Sequence, residues 1–186
     1  MTVAAALAPV IAVVGPSGVG KDSVMEALVA RDPGYRIQRR VITRPEAAGG
    51  EAFTGVDMGA FERIEAEGGF ALSWRAHGLA YGIPAAIAGA RQGARGVLVN
   101  LSRAVLLQAQ ERFGDLIVLS LTADPAVLAQ RLASRGREDA ADRARRLDRA
   151  GAPLPEGLRR IVTLDNSGAL DTTVDAALDA LQRESA

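Results

Sequence analysis

The sequence predicts an α/β fold in which a parallel β-sheet is flanked by helices on both faces. Three observations predict it. Strand patterns alternate with helical patterns along most of the chain, the order that builds parallel sheets. The apolar run Pro9-Val10-Ile11-Ala12-Val13-Val14 leads directly into Gly15 to Ser23, GPSGVGKDS, which reads as strand, tight turn and helix start. The chain has 186 residues at 48% hydrophobic content, enough to bury a sizeable core in one domain.

In order, Val10–Val14 reads as the first strand, Ser23–Ala30 as a helix and Arg36–Val41 as the second strand. A long insertion, about residues 42–95, separates them from the strand Val97–Asn100, the helix Arg103–Arg112, the strand Leu116–Leu121 and the helix Ala126–Ser134. The charged stretch Arg135 to Arg149 continues as helix beyond Gly136-Arg137-Glu138-Asp139, and Gly151-Ala152-Pro153-Leu154-Pro155 ends it. Ile161–Leu164 then reads as the last strand and Leu170–Leu181 as a closing helix.

Composition excludes several classes. With 22 basic residues against 22 acidic ones the chain has no electrostatic footprint for nucleic acid. No window approaches the roughly 18 consecutive apolar residues of a membrane span, so no membrane partner is expected. The N-terminal apolar stretch lacks a basic flank and runs straight into the glycine turn, which marks a buried strand rather than a signal peptide. There is no cysteine, hence no disulfide framework and no thiolate chemistry.

The glycine-rich turn carries the chemistry. Gly15, Gly18 and Gly20 let the backbone turn its N–H groups inward, with Pro16, Ser17 and Val19 completing the loop. Lys21 stands at the start of a helix whose positive end faces the same space. This is the P-loop cradle for a polyphosphate. The Ser or Thr that usually follows the lysine and reaches Mg²⁺ is here Asp22, with Ser23 next. A carboxylate beside phosphates is repelled unless a hard cation lies between them, so Asp22, then Ser23, are the candidate Mg²⁺ ligands, and helix capping is the alternative role.

Further runs are more specific than the P-loop. They are Lys21-Asp22-Ser23, Val41-Ile42-Thr43-Arg44-Pro45, Gly49-Gly50-Glu51, Leu72-Ser73-Trp74 with Ala76-His77-Gly78-Leu79 and Tyr81-Gly82, and Val97-Leu98-Val99-Asn100 with Ser102-Arg103-Ala104. Together they resemble the guanylate kinase superfamily, and within it the ribose 1,5-bisphosphate phosphokinases of phosphonate catabolism. The resemblance implies a single guanylate kinase-like domain over 1–186, with a core at about 9–41 and 96–182, an acceptor-binding lobe at about 42–95 and a lid at about 135–149. It also implies a kinase reaction in which Mg²⁺-bound ATP phosphorylates ribose 1,5-bisphosphate to 5-phospho-α-D-ribose 1-diphosphate. An ATP-using enzyme of this kind points to the cytoplasm.

Residue by residue, the resemblance and the chemistry nominate a site. Arg40, Arg44, Arg75 and Arg103 are candidate clamps for the two acceptor phosphates, because guanidinium forks bind phosphate oxygens bidentately. A solvated surface charge is the alternative for Arg75 and Arg103. Glu51 lies in the Gly-Glu segment and Tyr81 aligns with a phosphate-contacting tyrosine. Asn100 and Ser102 end a strand where parallel sheets place ligands, or else cap it. The lone histidine, His77, is read as shaping the acceptor pocket, since transfer to an ionised phosphate oxygen needs no general base. Arg131 and Arg135 lie four apart on one helical face, Arg137 follows, and Arg143 and Arg146 form a second pair. As lid arginines, Arg135 and Arg146 in particular would stabilise the moving phosphoryl group, and an exposed salt-bridged helix is the alternative. Asn166 sits in a segment that resembles an adenine-contacting loop, or is a turn residue.

Two departures separate the chain from guanylate kinases proper. Leu72 stands where a carboxylate reads the guanine edge, and Ala47 replaces a second arginine, for which Arg39 or Arg40 compensates. A sugar bisphosphate, with no base to read, therefore fits better than a purine nucleotide. The alternatives are a nucleoside monophosphate kinase of other specificity and a non-catalytic guanylate kinase-like interaction domain. Domains of the latter kind typically lose the lysine or the lid arginines, and this chain keeps both.

Overall fold

The computed structural model describes residues 7–46, 51–134 and 153–184. Its main sheet is wholly parallel, in the order β2-β7-β1-β8-β9, built from β1 (Val10–Val14), β2 (Tyr35–Ile37), β7 (Gly96–Asn100), β8 (Leu116–Thr122) and β9 (Ile161–Asp165). Between them lie α1 (Lys21–Arg31), a 3₁₀ turn (Arg103–Val105) leading into α4 (Leu106–Phe113), and α5 (Pro125–Ser134). The helix α6 (Leu170–Glu184) closes the described chain. The expected α/β class is what the chain adopts.

β1 is buried throughout because both of its faces are covered. Successive side chains point to opposite faces. Val10, Ala12 and Val14 join Val97, Val99 and Val118 under α4, whose Leu106, Ala109 and Phe113 face them. Ile11 and Val13 join Leu98, Ile117 and Leu119 on the other face, under Val24 and Leu28 of α1 and Val174, Ala177 and Leu181 of α6. Every strand of this sheet runs the same way, so their carboxyl ends form one rim, where sites in such folds are built.

The insertion folds into a second sheet of order β4-β3-β6-β5, from β3 (Val41–Ile42), β4 (Thr54–Gly55), β5 (Phe70–Ala76) and β6 (Leu79–Pro84). The helices α2 (Met58–Ala66) and α3 (Ile87–Ala90) accompany it. Asp57 caps α2 by accepting from the Ala60 amide at 2.7 Å. One face of this lobe sends Leu72, Trp74 and Ile83 into the core beneath α4, while the other packs Val41 and Ala80 on Phe61 of α2.

The structure corrects the element expectations in three places. The run Arg36–Val41 is two strands in two sheets. The Gln38 amide still bonds to Leu98 of the main sheet at 2.9 Å, whereas the Arg40 carbonyl already accepts from Thr54 of the lobe at 2.9 Å. A local pattern sees one strand, and the change of hydrogen-bond partner between Gln38 and Arg40 divides it. The first helix begins at Lys21 rather than Ser23, with Gly20 as its N-cap. The helix expected from Arg103 opens as a 3₁₀ turn capped by Ser102. The lid stretch at 135–149, with Arg135, Arg137, Arg143 and Arg146, and also Ala47, Gly49 and Gly50, lie outside the described residues.

Candidate active site

The P-loop leaves the carboxyl end of β1. Gly20 holds φ 93°, a left-handed conformation that side chains resist, and a Cβ there would stand 2.9 Å from the Asn166 amide nitrogen. A Cβ on Gly15 would meet the Leu121 carbonyl oxygen at 2.6 Å, so the loop lies directly against β8. Val19 is fully buried and anchors the turn, while Ser17 is half-buried and Ser23 is exposed on α1. The Lys21 ammonium is folded onto the loop and donates to the carbonyls of Gly15 at 3.0 Å and Pro16 at 3.3 Å. Burial pushes its pKa down to about 8, against the pull of the Asp22 carboxylate.

A second shell of bonds turns the loop the right way out. For the amides of a P-loop to face inward, some of its carbonyls must face the protein and be satisfied there. The Val19 carbonyl is met by the Asn166 side-chain amide at 2.7 Å and by Arg131 at 3.4 Å. Asn166 is buried, and its own oxygen accepts from the Thr173 hydroxyl at 2.7 Å. A cleft of about 310 Å³ opens beside the loop, lined by Gly18, Gly20, Ser23, Arg131, Asn166 and Leu170. Asn166 therefore borders this cleft and at the same time holds the loop through its carboxamide. Thr173 had no signal in the sequence.

Across the rim lie several of the residues nominated for the acceptor. Arg40 is buried and ion-paired with Glu51, its Nε donating to Oε2 at 3.2 Å and its Nη2 to Oε1. Asn100, at the end of β7, donates to the same Glu51 at 3.1 Å. The Arg40 guanidinium lies over Tyr81 at 5.2 Å and Trp74 at 5.9 Å, and these two rings stack 5.2 Å apart at 7°. Lys21 feels the charges of Asp22, Arg40, Glu51 and Arg103, so the P-loop and this cluster form one electrostatic unit. Asp22 sits in the first turn of α1, where burial and the Glu51 carboxylate raise its pKa. It does not cap the helix, because Gly20 holds that position. Burial lowers the pKa of half-buried Arg103, and half-buried Arg44 lies 4.6 Å over the Phe53 ring.

Three nominated acceptor residues have structural partners or places of their own. Arg75 neighbours Trp74 on β5 and so faces the opposite side of the lobe, where it pairs with Glu65 at 2.7 Å and lies over Phe61. His77 is exposed at φ 52° beside Gly78 at φ 75°, which makes the pair a two-residue hairpin turn between β5 and β6. Histidine is among the side chains that tolerate this conformation, so its place follows from turn geometry. Ser102 accepts from the Ala104 amide at 3.4 Å as a cap. Sequence reasoning also passed over Trp74, which stacks on Tyr81 beside Arg40. The signal was present, since a turn at His77-Gly78 sets Trp74 opposite Tyr81.

Among the described residues no group of three or more His, Cys, Asp or Glu side chains gathers to hold a metal. An ion bound largely through phosphates and water needs only one or two protein oxygens, which Asp22 and Ser23 can supply. No described helix is long and apolar enough to cross a membrane.

Comparison with known proteins places this geometry. No protein-family model matches the chain. It is 59% identical over 178 residues to ribose 1,5-bisphosphate phosphokinase PhnN of Ruegeria sp., covering 96% of this chain and 94% of that protein. It is 50% identical to the protein of the same name from Pseudomonas fluorescens, over 90% and 92% of the two chains, and 43% identical to that from Agrobacterium fabrum, over 93% and 96%. Among solved structures, guanylate kinase from Anaplasma phagocytophilum aligns with a TM-score of 0.66 at 15% identity, covering 96% of this chain and 87% of that one. A gluconokinase from Sinorhizobium meliloti aligns at 0.57 and 24% identity, covering 96% and 94%. At those identities the structures speak for the fold, a kinase α/β fold, while the sequence relatives speak for the family. The chain belongs to the family of ribose 1,5-bisphosphate phosphokinases.

Proposed function

We propose that this chain transfers the γ-phosphoryl group of ATP to the 1-phosphate of ribose 1,5-bisphosphate, releasing ADP and 5-phospho-α-D-ribose 1-diphosphate. The observation that carries the reading is Arg40, a buried guanidinium held on an aromatic face and coupled electrostatically to the P-loop lysine. Leu72 supports the absence of base recognition, since it is 3% exposed and packed in the core with Val97 and Leu106.

In this reading an oxygen of the 1-phosphate attacks the γ-phosphorus in line. The new O–P bond forms as the bond to the β–γ bridging oxygen breaks, and ADP leaves with that electron pair. The attacking oxygen is already ionised, so no residue moves a proton. Lys21 leaves the Gly15 and Pro16 carbonyls for the β- and γ-phosphates, whose charge raises its pKa again. Asp22, with Ser23, would hold Mg²⁺, which would neutralise charge on the phosphates. Arg40, Tyr81, Arg44 and Arg103 hold the acceptor phosphates, and Arg135 and Arg146 complete the charge around the transferred group. The lobe at about 42–95 and the lid at about 135–149 bring the two substrates together in one domain, and ATP supply places the reaction in the cytoplasm.

The test is ADP release with ribose 1,5-bisphosphate and, separately, with GMP as acceptor. The expected outcome is turnover with the former and a kcat/KM at least about a hundredfold lower with the latter, within what lost polar recognition imposes. Efficient GMP phosphorylation would overturn the assignment.

A further inference from the structure

We infer that Trp74 is a positioning residue of the acceptor site: stacked on Tyr81, it forms an aromatic platform that sets the plane of the Arg40 guanidinium and, through it, the acceptor phosphate. The inference rests on Arg40 being an acceptor clamp, as proposed above.

Three features of the geometry carry it. Trp74 is rigid, being only 8% exposed and wedged into the core with Leu72 and Ile83. Its ring stacks nearly parallel on that of Tyr81, so each holds the other's tilt, and the Arg40 guanidinium carbon lies 5.2 Å over the Tyr81 ring and 5.9 Å over that of Trp74. A guanidinium over such a face is attracted by the ring quadrupoles, and more strongly where water is excluded. Glu51, itself held by Asn100, engages the Nε and Nη2 edge of the fork, which leaves the Nη1 edge to a phosphate oxygen. The rings confine the fork from one side and the carboxylate holds its Nε and Nη2 edge. An arginine constrained in both ways is pre-organised and loses little freedom when it binds.

A residue that merely fills the core and one that positions Arg40 differ in what they change. Trp74 is the chain's one tryptophan, so its emission reports on this platform alone. The experiment titrates wild-type and Arg40→Ala protein with ribose 1,5-bisphosphate in the absence of ATP while following emission. It also measures the KM of acceptor and of ATP separately for Trp74→Leu and Trp74→Phe.

The expected result is an emission change in the wild type that Arg40→Ala abolishes. Trp74→Leu should raise the acceptor KM about tenfold while the ATP KM moves less than about twofold, and Trp74→Phe should recover most of the loss. A Trp74→Leu enzyme with wild-type acceptor KM, or an emission change that persists in Arg40→Ala, overturns the inference. If Trp74→Leu does not fold, the Trp74→Phe kinetics and the emission titration decide, since a platform predicts a smaller rise in acceptor KM and an Arg40-dependent signal. Wild-type protein that fails to turn over ribose 1,5-bisphosphate overturns the acceptor assignment. Normal wild-type turnover beside an unimpaired Trp74→Leu overturns the platform alone.

Discussion

Lys21 shows at the level of one residue how burial works against a charge that the ligand requires. The free protein holds its pKa near 8, because burial disfavours the charge. Polyphosphate binding needs that charge. As pH rises through about 8 the free lysine loses its proton, so kcat/KM for ATP should fall above that pH, and Lys21→Arg, which stays charged, should remove the bend. A flat pH profile to pH 9.5 in the wild type would contradict this. Asp22 is perturbed in the opposite sense, raised by burial and by Glu51. Asp22→Asn should raise the Mg²⁺ concentration for half-maximal activity if the carboxylate helps to hold the ion, while thermal stability stays close to wild type because Gly20 is the cap. Asn166 holds the P-loop through the Val19 carbonyl. Asn166→Ala removes the shorter bond to that carbonyl, leaving the 3.4 Å bond from Arg131, and takes one of two acceptors from the Thr173 hydroxyl, a loss of about 1 kcal/mol. It should raise the KM for ATP and leave that of the acceptor near wild type, a split readable from initial rates.

Among the elements, the β5–β6 hairpin does the most with the least sequence. His77-Gly78 supplies two residues at positive φ, and the right-handed twist of paired strands favours that turn. The turn sets the register, and the register puts Leu72, Trp74 and Tyr81 on the core side and Ser73 and Arg75 on the α2 side. A one-residue slip would reverse every one of these assignments. His77→Asn keeps the left-handed preference and should retain wild-type kcat and acceptor KM, whereas His77→Val should lower the melting temperature. A tenfold loss of kcat in a stably folded His77→Asn protein would return the histidine to the site. The extended stretch Gln38 to Arg40 works differently, since it passes the chain from one sheet to the other and delivers Arg40 to the rim between them.

Over the whole molecule, the lobe is joined to the core by shared packing. Leu72 lies at this junction, and Arg112 of α4 donates to the neighbouring Ala71 carbonyl at 2.9 Å. Leu72→Ala should therefore lower global stability by about 2–5 kcal/mol in equilibrium denaturation, as cavities in packed cores do. A separate early transition for the lobe would show that the junction is weaker than this packing implies. The α/β class, the P-loop with Lys21 and the family were legible in the chain's order alone, because each of these lies in patterns of consecutive residues whose local geometry is nearly obligatory. Arg40, Glu51, Tyr81 and Asn100 were legible as members of a site, but the bonds among them were not. Only the tertiary structure turned Arg75 away, assigned His77 to a turn, joined Trp74 to Arg40, and brought Asn166 to a carbonyl 147 positions distant. The physical reason is the same in each case. Which side chains meet is decided by strand register and sheet order, set by the burial of the whole core, and no short stretch of chain contains that information.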